Sequence, residues 1–147
     1  MIVLKKNYRV RIYLTLAAAM VLSWTAQAAE LVLAKQGKTD YVIAQSAKAV
    51  PAEKHAAQDL SLYLKKITGA TFPIVTESAA KGKHAIYVGA TDFAARAGIK
   101  PDSLDKEEWI IRTSGKNLIL SGGRQRGTLY AVYLYPAGKT FRLSLAG

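Results

Sequence analysis

Apolar and polar positions along the chain fall into short blocks, and the period of each block predicts an element. The clearest block is "VPAEKHAAQDLSLYLKKITG". Ala56, Leu60, Tyr63, Leu64 and Ile67 recur there at helical spacing and give a helix one apolar face. Pro51 suits its first turn, where a missing N–H costs nothing. Lys65 and Lys66 favour the negative end of the helix dipole, and Gly69 ends it. Upstream, "ELVLA" (Glu30 to Ala34) and "YVIA" (Tyr41 to Ala44) flank a turn containing Gly37, which predicts a hairpin. Downstream, Phe72 to Val75 contains Pro73 and is placed at a sheet edge. His84 to Val88 is a strand closed by Gly89, and Thr91 to Ala97 a short helix capped by Thr91 or Asp92. Pro101 to Asp105 is a polar loop or single turn. Glu108 to Arg112 and Asn117 to Leu120 flank "TSGK", a second hairpin pattern, and Thr128 to Tyr133 is a late helix. The sum is an α/β (α+β) sandwich, a mixed sheet with helices packed on it. No internal repeat or low-complexity block interrupts it.

The first 28 residues stand apart. Lys5, Lys6, Arg9 and Arg11 precede the apolar run "IYLTLAAAMVLSW", and "TAQA" follows with Ala26 and Ala28 in A-x-A spacing. That order predicts a secretory signal cleaved after Ala28. The run is shorter than the roughly 20 apolar residues a span needs, so no stable membrane anchor is expected after processing. The leader also changes the charge. The formal +11 invites a nucleic-acid or membrane-surface reading, but four of the 21 basic residues lie in the leader. Without them 17 face 10 acidic residues, a net +7. The chain has no cysteine, which excludes disulfides, thiolate metal sites and a cysteine nucleophile. An exported chain of this kind fits the bacterial periplasm or exterior.

One stretch invites a nucleotide reading. "SGGRQRGTLYAVY" (Ser121 to Tyr133) joins an apolar strand to a helix through glycines, as phosphate sites do. Gly122 and Gly127 have Walker spacing, but Thr128 and Leu129 stand where Lys and Ser or Thr belong. The dinucleotide pattern fails as well, and the preceding strand belongs to a hairpin rather than a βαβ unit. Gly122, Gly123 and Gly127 are therefore read as a tight structural corner. Arg124 and Arg126 remain the candidate anion-binding residues, against the plainer reading that they are solvated. His55 stands four residues before Asp59, a local helical ion pair. His84 starts a strand, and no third ligand joins the two histidines into a metal site. No serine lies in a G-x-S-x-G context. Glu107 and Glu108 are adjacent and would point to opposite faces of a strand, a poor catalytic pair. With Asp102 and Asp105, beside Lys100 and Lys106, they read as a solvated acidic loop. Tyr63 and Tyr87 sit on patterned elements and read as core. No cofactor, metal or nucleic-acid partner is expected.

"AAQDLSLYLKKITGATFPIV", "HAIYVGAT" and "WIIRTSGKNLILSGGRQRGTLYAVY" occur in an order that resembles the N-terminal domain of bacterial alpha-glucuronidases. The same domain type is the second domain of beta-N-acetylhexosaminidases and occurs in other secreted glycan-active proteins. The resemblance runs from about Glu30 to Tyr133. It implies a small α/β domain, residues 29–133, that sits beside a catalytic barrel and carries no catalytic residue of its own. The partner it implies is a glycoside hydrolase barrel on the C-terminal side. Two functions follow: an accessory domain of an exported glycoside hydrolase, inactive alone, or a free-standing exported module that binds glycan or anions. Residues 134–147 depart from the resemblance, because Pro136 and Gly138 interrupt the late helix. They read as out-of-frame translation after truncation, or as a natural tail with an edge strand over Thr140 to Leu145.

Overall fold

A computed structural model describes residues 31–135. The leader with its cleavage point after Ala28, the residue Glu30, and residues 136–147 of the tail lie outside the described residues. Five strands and three helices follow in order: β1 (Tyr41–Gln45), α1 (Pro51–Thr68), β2 (Ile74–Thr76), β3 (His84–Val88), α2 (Asp92–Arg96), β4 (Trp109–Ser114), β5 (Asn117–Gly122) and α3 (Gly127–Leu134). A 3₁₀ turn at Pro101–Ser103 precedes β4. The strands form one sheet in the order β2-β1-β3-β5-β4. β2, β1, β3 and β5 run parallel, and β4 runs antiparallel to β5. The mixed sheet read from the sequence is the one present.

Alternation along each strand divides the core. Ile43, Ile86, Val88, Leu118 and Leu120 meet Ala56, Leu60, Leu64, Ala131 and Val132 from α1 and α3 on one face. Val42, Ala44, Ala85, Tyr87 and Ile119 meet Ala94 and Ile99 on the other. Each central strand is thus apolar at consecutive positions, as parallel strands covered on both faces must be. Each fully buried Leu or Ile contributes about 1.5–3 kcal/mol relative to exposure. Pro51 opens α1, and Gly69 closes it with φ 72°, donating its N–H to the Lys65 carbonyl at 2.9 Å. Thr91 is the cap of α2, its hydroxyl accepting the Ala94 N–H at 3.2 Å.

The first hairpin is not formed. Tyr41 to Ala44 pairs parallel with β2 and β3, and Leu31 to Ala34 joins no ladder. The turn itself exists, as a single bridge between Lys35 and Lys38. The pairing stops there because the Thr39 hydroxyl donates to the Leu33 carbonyl (2.5 Å) and accepts the Tyr41 N–H (3.0 Å). A local side chain takes the Leu33 carbonyl that the Asp40 N–H would use in a continued ladder. β2 is an edge strand, as Pro73 requires, but begins one residue after it. The Pro73 carbonyl accepts the Ile43 N–H at 2.9 Å, and Phe72 is buried. At the other end α3 runs to Leu134, and Tyr135 packs into the core.

Candidate functional site

The glycine corner lies at the carboxyl end of β5 and opens α3. Its packing is backbone against backbone. A Cβ on Gly122 would meet the Glu108 carbonyl and Gly127, one on Gly123 the Asp105 carbonyl, and one on Gly127 the Glu108 carbonyl. None of the three has a positive φ. The segment Asp105 to Glu108 is therefore laid directly on the corner. Its carbonyls take the amides a phosphate would need. Gly123 N–H donates to Glu108 O at 2.9 Å, and Lys106 O accepts from Arg126 N–H (3.3 Å) and Gly127 N–H (3.1 Å). The acidic side chains of Asp102, Asp105, Glu107 and Glu108 are exposed, as expected of a solvated loop, while the backbone of residues 105–108 packs on the corner. The exposed Glu108 carboxylate accepts the Asp105 N–H at 3.1 Å within the same loop.

The two candidate arginines differ in their surroundings. Arg124 is held by Asp102, with Nε to Oδ1 at 2.6 Å and Nη2 to Oδ2 at 3.3 Å. That bond raises the guanidinium pKa further, so the charge is permanent but already partnered. Arg124 is thus paired rather than simply solvated. Arg126 precedes α3 with an exposed side chain. An open cleft of about 510 Å³ adjoins Arg124, between Thr91, the cap of α2, and Lys100 to Ser103. His55 and Asp59 form the expected i,i+4 pair at 3.4 Å, and Asp59 also accepts the Tyr133 hydroxyl at 2.8 Å. His84 lies against the Tyr41 ring, 5.4 Å between centroids. Tyr87 is buried and stacks on Phe93, as expected; Tyr63, read from the sequence as core, is instead 43% exposed at the margin of the buried face of α1. Among the described residues no three of His, Cys, Asp or Glu gather as metal ligands.

The carboxylate that sequence reasoning missed is Glu53, only 1% exposed. Oε2 accepts the Val50 N–H at 3.0 Å and Oε1 the Ala90 N–H at 2.8 Å, joining the start of α1 to the turn after β3. Gly89, at φ 80°, leaves the room that the carboxyl group fills. The available cue was a glutamate in the first helical turn; the usual Ser or Thr of a capping box is absent because the cap is Val50. Glu77 is used similarly, accepting the N–H groups of Asp92 (2.8 Å) and Phe93 (2.5 Å) at the start of α2. Asp59, Asp102, Glu53 and Glu77 are thus each engaged in holding elements together, and Glu108 in a local bond within its loop.

The pattern described as Glycosyl hydrolase family 67 N-terminus matches residues 26–135. The chain belongs to that family. The alpha-glucuronidase resemblance read from the sequence is therefore the correct one, and this chain contributes the N-terminal domain of a family 67 protein. Membership implies a catalytic domain as its partner. No curated protein matches the chain. No helix of the described residues is long and apolar enough to cross a membrane.

Proposed function

We propose that this family 67 N-terminal domain is the accessory domain of an exported glycoside hydrolase that acts on polysaccharide, with the chemistry supplied by its catalytic partner. The observation that carries the reading is how the carboxylates are used. Glycoside hydrolysis needs two carboxyl groups facing one bond, about 5–5.5 Å apart for retention or 6.5–9.5 Å for inversion. Here the carboxylates of Glu53, Glu77 and Glu108 accept backbone amides, Asp102 holds Arg124, and Asp59 holds His55 and Tyr133. The composition of residues 1–28 supports export with cleavage after Ala28.

Two measurements test this. Protein recovered from the periplasm or medium is expected to begin at Ala29; intact Met1 protein in the membrane fraction would count against export. The purified chain is expected to release no sugar from glucuronic-acid-substituted xylan or from aryl glycosides. Turnover that follows the protein through purification and is lost when Asp40, Asp92, Asp105 or Glu107 is replaced by the corresponding amide would overturn the accessory reading.

A further inference from the structure

Three segments meet at the amino end of the parallel strands, the end opposite the glycine corner. The first is the turn Lys35–Lys38. The two lysines exchange both backbone bonds (2.9 and 3.0 Å), with Gln36 at φ 51° and Gly37 at φ 71°. Two left-handed central residues are what a type I′ turn requires. Residues paired in this way have Cβ atoms about 5 Å apart on one face. The second is the β4–β5 turn, which presents Lys116; the Tyr41 hydroxyl donates to the Lys116 carbonyl at 2.8 Å and ties this turn to β1. The third is the start of β3, with His84 against Tyr41.

Between them lies an open cleft of about 420 Å³, with Leu31, Val32 and Leu33 as an apolar wall. That volume falls in the range of small-ligand sites. Three lysines line it against one acid, Asp40. The ion pairs among the described residues involve none of these lysines. Gly69 backs onto Gly37, so α1 ends here and brings Lys65 and Lys66 to the same end of the sheet. Like charges held directly opposite destabilise a β-pair, and an anion between them reverses the sign. Among the described residues no hydrogen bond or ion pair uses the three ammonium groups.

We propose that this cleft binds a ligand carrying clustered anionic oxygens, carboxylate or phosphate, beside an apolar body, with Lys35, Lys38 and Lys116 as its cationic contacts. The inference is independent of the accessory role above. It is tested by calorimetric titration of the purified full chain with trigalacturonate, inorganic pyrophosphate and neutral galactotriose at low salt. At least one anion is expected to bind and the neutral sugar not to. Lys35→Gln/Lys38→Gln should weaken the anion about fivefold or more, the sum of two exposed charge contacts. Lys48→Gln/Lys100→Gln, an equal charge change at the other end of the sheet, should leave affinity unchanged. Tighter trigalacturonate assigns an acidic glycan, and tighter pyrophosphate a phosphate compound; both support the site. No binding of either anion, or equal loss in the two double variants, overturns it.

Discussion

Removing the Glu53 carboxylate would leave the Val50 and Ala90 amides without their acceptor, in a site closed to water. Glu53→Ala is therefore expected to lower the unfolding free energy by about 3 kcal/mol, and Glu53→Gln by less because one acceptor oxygen survives. Urea denaturation of the three proteins checks the order. The corner glycines lend themselves to a paired comparison. Gly123→Ala must displace the Asp105 carbonyl and is expected to cost about 2–3 kcal/mol. Gly115→Ala meets nothing within 4 Å and suffers only its left-handed φ of 60°, about 1 kcal/mol. Equal losses would mean that dihedral preference, not close approach, governs both. The G-G-x-x-x-G spacing made the corner legible from sequence. What lies against it was not, because the contacts are made by backbone carbonyls of Asp105 and Glu108, which no side-chain pattern records. Nor could spacing reveal that Arg124 spends its charge on Asp102, 22 residues away.

Among the elements, α1 was legible from end to end, since its apolar period, Pro51 and Gly69 all agree. The β4–β5 hairpin was legible for the same reason: a short turn fixes its register. The first hairpin was misleading because a true turn sits where the pattern shows one, while β1 finds its partners across α1 and beyond. Local sequence records the turn and not the competition for β1. Thr39 decides that competition on one side. Thr39→Val would remove both bonds of the hydroxyl and is expected to cost about 1–2 kcal/mol, read as a shift in the denaturation midpoint. α3 is apolar nearly all round, yet Tyr133 is 53% and Leu134 40% exposed.

The whole molecule carries a pH dependence at its alkaline end. Burial lifts the phenols of Tyr41 and Tyr135 above the ordinary range, and for Tyr135 the neighbouring Tyr41 adds to the effect. The neutral form is thus the one the fold favours. The unfolded chain releases these protons first, near pH 10, so the contribution is complete below that pH and is lost as pH rises towards the folded values. Unfolding free energy should fall above about pH 10, and less steeply in Tyr135→Phe. A parallel slope in the two proteins would assign the loss to other groups.

The strand order has a consequence for synthesis on the ribosome. β1 is made first but lies inside the sheet, between β2 and β3. As the chain emerges, β1, α1 and β2 can assemble while the other edge of β1 waits for His84 to Val88, and β3 in turn waits for β5. Nascent chains arrested between β2 and β3 would therefore show an open, apolar strand edge, the kind of surface that chaperones hold and that pairs between neighbouring chains. Arrest beyond β5 would close it.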